Sequence, residues 1–108
     1  MLTIVRGSYF QAGGRFLTDS APSDASTWAS VRVVLADYTG GTIFAELQME
    51  WVDKPNGVIK VWADDTSAWP VGRARLDAQI VDGFAHTYNS TADYFRIVDS
   101  PLNDEAAP

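Results

Sequence analysis

Strict alternation of apolar and polar residues is the strongest signal in this chain. In Thr42–Val52, Ile43, Ala45, Leu47, Met49 and Trp51 fall on one side of an extended strand. Glu46, Gln48 and Glu50 fall on the other, so the first set faces a core. Asp53-Lys54-Pro55-Asn56-Gly57 then combines a strand-ending proline with a strong hairpin-turn pair. Ile59, Val61 and Ala63 resume the alternation. The spacing therefore predicts one antiparallel hairpin over residues 42–63.

The same period runs through Arg73–Val81, where Ala74, Leu76, Ala78 and Ile80 alternate with Arg73, Arg75, Asp77 and Gln79. Asp82-Gly83 predicts a turn, Phe84–Tyr88 a short strand, Asn89-Ser90-Thr91 another turn and Tyr94–Val98 a final strand. Upstream, Ala29–Ala36 is apolar on much of both faces, as an interior strand is. Tyr38-Thr39-Gly40-Gly41 reads as a turn. Leu2–Val5 and Tyr9–Phe10 read as a first strand interrupted by a bulge at Gly7. Arg15–Thr18 reads as a second short strand, and Asp19–Thr27 as a polar loop containing Pro22. Helical character is confined to one turn at Asp64–Trp69, stopped by Pro70.

About seven to eight short strands with turns every 8–12 residues predict an all-β chain. The expected form is a single immunoglobulin-like two-sheet antiparallel sandwich over residues 1–98. A small closed barrel is the runner-up. Residues 99–108 are expected to form an acidic, flexible tail.

Composition narrows the chemistry. The chain has 108 residues and a net charge of −6, from 14 Asp+Glu against 8 Lys+Arg. That balance disfavours nucleic-acid binding, which relies on clustered cations. Three of the acids, Asp99, Asp104 and Glu105, lie in the last ten residues with no base among them, so the body is close to neutral. With no cysteine, disulfides, thiolate metal sites and cysteine nucleophiles are excluded. No apolar run approaches the roughly 18 residues of a membrane span. The start MLTIVRGSYF does not follow the signal-peptide pattern.

Candidate chemistry is sparse. His86 is the sole histidine, and no Gly-x-Ser-x-Gly elbow accompanies it. It reads as an exposed strand residue. Asp64-Asp65 and Asp82 are possible cation ligands, but no calcium-loop spacing is present, and they read as turn and capping residues. Glu46 and Glu50 would lie about 13–14 Å apart on one strand, too far for a glycosidase pair. Asn89-Ser90-Thr91 matches a glycosylation sequon but reads as a turn. Trp28, Trp51, Trp62 and Trp69 are many for this length. They read mainly as packing residues, with Trp28 and Trp62 as candidate contacts beside Arg73 and Arg75.

Several segments together resemble a known group. They are Gly7-Ser8-Tyr9-Phe10, the loop with Pro22 and Asp24, Val31-Arg32-Val33, Asn56-Gly57-Val58, Trp69–Gln79 and Tyr94–Val98. This order resembles the small immunoglobulin-like β-sandwich proteins of tailed bacteriophages and prophages, such as baseplate upper protein N-terminal domains. The resemblance implies a non-enzymatic virion component of tail or baseplate, assembled in the bacterial host cytoplasm. It implies protein–protein contacts with other virion proteins and a homo-oligomer, and neither catalytic residues, metal nor cofactor. The alternative is a carbohydrate-binding, host-adhesion module with a glycan partner. Neither reading involves nucleic acid or a membrane.

Overall fold

The computed structural model describes residues 2–99. Among these residues ten strands form in chain order: β1 (Leu2–Val5), β2 (Phe10–Arg15), β3 (Leu17–Thr18), β4 (Ala21–Pro22), β5 (Ser30–Asp37), β6 (Ile43–Glu46), β7 (Gln48–Asp53), β8 (Val58–Ala63), β9 (Gly72–Val81) and β10 (Thr87–Val98). They make a five-stranded sheet, β1-β10-β9-β5-β6, a three-stranded sheet, β2-β8-β7, and the small β3-β4 hairpin. The two larger sheets pack as the predicted sandwich. Val33, Leu35, Leu76 and Phe95 of one sheet meet Phe10, Ile59 and Val61 of the other in a single core. One pairing departs from the antiparallel expectation: β1 runs parallel to β10.

Several local readings change. Residues 42–53 do not stay in one strand. β6 pairs with β5, β7 pairs with β8, and buried Leu47 carries the chain between sheets. Glu46 and Glu50 therefore lie in different sheets, and Glu46 instead ion-pairs with Arg32. The helical turn expected at 64–69 is non-helical. A short 3-10 helix forms at Lys54–Asn56 instead, between β7 and β8. The first strand is split across the two sheets, with Gly7 at φ 93° in the crossing. Thr66, fully buried, fastens that crossing: its hydroxyl donates to the Ser8 carbonyl at 2.6 Å and accepts from the Gly7 N–H at 2.9 Å.

A further change shapes the functional surface. Asn89-Ser90-Thr91 is no turn, because β10 runs unbroken for 12 residues against β9. Its pairing with β9 shifts register between Thr91 and Asp93. Phe84–His86 is a turn rather than a strand. The expected acidic tail lies, apart from Asp99, outside the described residues. Asp99 itself has a base, since Arg6 holds it at 2.6 Å.

Candidate functional site

Two strand edges are left uncovered on the same flank of the sandwich. β2 is the edge of the three-stranded sheet. In the other sheet, β1 covers β10 only over Phe95–Val98, so among the described residues the Thr87–Tyr94 half of β10 has no outer neighbour. Between these edges the sheets do not close. A cleft of about 860 Å³ remains, floored by Val33, Ile59, Val61, Leu76, Ala78, Ile80 and Phe95.

The sequence explains why the gap stays open. Register pairs point their side chains to the same face. Phe10, Ala12 and Gly14 of β2 pair with Ala63, Val61 and Ile59 and so face inward. Their side chains shrink along the strand from a ring to a methyl to nothing. A Cβ on Gly14 would meet nothing nearer than Ile59 Cγ1, at 3.9 Å. Opposite, Asp93, Ser90 and Tyr88 of β10 pair with the buried Leu76, Ala78 and Ile80. These inward positions are polar or exposed and do not fill the space. Phe16 and Trp28 close one end, with ring centroids 5.2 Å apart and nearly perpendicular. Arg15, Thr18 and Ser23 add polar groups on the β2 side. The site is thus an apolar floor with a polar rim, the usual make-up of an organic-ligand pocket.

Asp82 borders this cleft and builds the turn beside it. Its Oδ1 accepts the Phe84 and His86 N–H groups, each at 2.9 Å, and its Oδ2 lies 3.3 Å from His86 Nδ1. Loss of solvation pushes the Asp82 carboxyl up, but the two backbone hydrogen bonds and the His86 ring outweigh it and hold it below the usual range. Asp37 is lowered in the same way, by the N–H groups of Gly41, Thr42 and Gly40 and the Thr39 hydroxyl against its own desolvation. A depressed carboxyl stabilises the fold above its unfolded pKa near 4, and that contribution is lost as pH falls through the folded pKa. Asp82→Asn is therefore expected to show a shallower acid-side loss of stability than the parent. Urea unfolding across pH 2–6 checks this, and an equally steep acid limb would contradict it.

The residues singled out from the sequence do not converge. Trp28 lines the cleft end. Trp62 lies half-buried on the outer face of the three-stranded sheet, with Lys60 Nζ 5.4 Å from its ring. Arg73 and Arg75 lie on the outer face of the other sheet. Trp69 is buried against Phe10, and Trp51 packs on Trp28 and Phe16, so these tryptophans pack inward instead of forming a flat exposed platform. Asp65 caps the Ser67 N–H, and Asp64 lies 3.5 Å from the Gln48 amide. Among the described residues, no three His, Cys, Asp or Glu side chains come together as metal ligands. Ala12 and Asp93 escaped the sequence reading, while Gly14 and Ser90 read as turn residues but lie in β2 and β10. Their signal was small or polar residues at core-facing strand positions.

With two sheets and an open flank in view, the solved structures offer a comparison. The chain is similar in fold to CopC from Methylosinus trichosporium OB3b. The TM-score is 0.51 at 16% identity, over 91% of this chain and 83% of the CopC chain. At that identity the likeness to CopC speaks for the β-sandwich alone. No family model matches this chain, and no curated protein does. These findings overturn the virion-module reading and the keywords that went with it. The spacing that carried the phage resemblance is that of short sandwich strands and their turns. CopC, a solved structure that shares this architecture, is not a tail or baseplate protein.

Proposed function

We propose that this chain is a non-enzymatic binding module that holds a largely apolar organic molecule in the cleft between β2 and β10. The observation that carries the reading is the cleft itself: about 860 Å³, floored by core residues and rimmed by a few hydrogen-bonding groups. Sites of roughly 300–1,000 Å³ with that make-up suit small organic ligands. An apolar ligand would cover apolar lining atoms still open to water, such as those of Leu17, Phe16 and Trp28, which is favourable at about 25 cal/mol per Å² of apolar surface removed from water. Tyr88, Ser90 and Asp93 on one lip, with Arg15 and Thr18 on the other, would orient a polar end toward the mouth. The non-enzymatic part is supported by the lining itself: among the described residues it brings together no acid–base or nucleophile set. His86 is two-thirds exposed and turned to Asp82.

The neutral dye N-phenyl-1-naphthylamine tests this. It is expected to brighten on adding the protein and to accept energy transfer from Trp28. Gly14→Leu, which puts an isobutyl group into the gap, is expected to weaken dye binding at least tenfold while leaving the melting temperature unchanged or raised. A dye that ignores the parent protein, or binds Gly14→Leu equally well, would defeat the proposal.

A further inference from the structure

A second surface lies on the opposite side of the five-stranded sheet, away from the cleft. Arg73 of β9 and Arg96 of β10 are direct register partners there, both exposed. Arg75 is next on the same face, paired in register with Tyr94. Three of the chain's eight cations thus gather on two adjacent strands of a protein whose net charge is −6.

Like charges directly opposite one another destabilise a sheet. This chain relieves only part of that cost internally. Arg75 is satisfied, since its Nε and Nη2 donate to Asp77 Oδ2 at 3.1 and 2.9 Å. Arg73 lies with its guanidinium carbon 5.4 Å from the Tyr38 ring. That ring in turn packs on Tyr94 at 5.4 Å. Neither Arg73 nor Arg96 has a carboxylate partner among the described residues. Among the described residues, therefore, two guanidinium groups without a carboxylate partner stand side by side, flanked by two exposed tyrosines.

We infer that the Arg73–Arg96 pair, with Tyr38 and Tyr94, is a docking surface for an acidic segment of a partner polypeptide. Charge complementarity selects the sign of the partner: carboxylates would neutralise both cations and remove their repulsion. Arginine and tyrosine are the residue types enriched in protein interfaces, and an open sheet face suits a chain segment better than a small anion. A nucleic acid shares the anionic chemistry but carries a dense phosphate charge that the acidic remainder of this molecule repels.

Fluorescence anisotropy with a labelled oligo-glutamate peptide, and in parallel a labelled single-stranded oligonucleotide, tests the inference on the full chain. The peptide is expected to bind, more weakly as salt rises. R73Q/R96Q is expected to lose at least tenfold in affinity, and Lys60→Gln on the other sheet is expected to behave as the parent. No peptide binding, equal loss in Lys60→Gln, or tighter binding of the oligonucleotide would overturn it. Arg96→Gln is also expected to leave the free protein's melting temperature unchanged or raised. A marked fall would show that Arg96 holds the sheet together instead, and would overturn the inference as well.

Discussion

Phe95→Ala is expected to destabilise the sandwich by about 3–5 kcal/mol, the usual cost of emptying a buried aromatic site. Phe95 is 1% exposed and sits where the two sheets meet. Its ring contacts Phe10 edge to face at 5.7 Å, and Phe10 contacts Trp69 at 5.5 Å. Removal breaks a chain of rings that ties β10 to β2 and to the connection before β9. The neighbouring β2 face cannot collapse to fill the hole, because its inward positions are already small. Against a typical domain stability of about 5–15 kcal/mol, that loss takes a large share. A drop in melting temperature of roughly 15–30 °C is the calorimetric equivalent for a domain near this size. A drop below about 5 °C would show that the two sheets are not held together at this point.

Gly57→Val is expected to cost about 2–4 kcal/mol, from left-handed backbone strain plus a clash. Gly57 follows the 3-10 helix at φ 70° and ψ 24°, a conformation β-branched residues resist. A Cβ there would stand 2.7 Å from the Ser23 carbonyl oxygen and 3.1 Å from that of Phe16. Both are backbone atoms, so the loop must move. Gly57 also accepts the Phe16 N–H at 2.9 Å. The displaced loop carries Phe16, Thr18 and Ser23, all at the cleft. Thermal unfolding and limited proteolysis check the outcome together. Cleavage within residues 17–27 is expected to quicken, whereas Gly13→Ala, with nothing nearer than 3.9 Å, is expected to behave as the parent.

The strands themselves were readable where both faces announce themselves. From Arg73 to Ile80 the outward residues are charged or amidic and the inward ones apolar, so period and face agree, and β9 takes that orientation. The segment from Ile43 to Val52 shows the limit of the method. Its alternation continues through Leu47, yet β6 and β7 belong to different sheets. A residue that crosses between sheets and stays buried keeps the same local period as one that does not. Asn89-Ser90-Thr91 shows a second limit. Its composition favours a turn, but pairing with Ala78 and Gln79 of β9 outweighs local preference. The candidate site was less readable still, because Gly14 looks the same in a turn and in a strand that leaves space beside it.

The sequence by itself determined that this is an all-β chain, which residues of β9 face the core, and that thiolate chemistry is excluded. Those follow from period, side-chain type and composition, which are local. The sequence put Ile43 on the core face, whereas the β5–β6 register shift turns Ile43 outward and Phe44 toward the core. Tertiary structure alone decided which strands share a sheet, that β1 leaves half of β10 uncovered, and that Arg73 stands opposite Arg96. Each of these depends on register between segments distant in the chain. Local patterning is silent about register until the sheets are assembled.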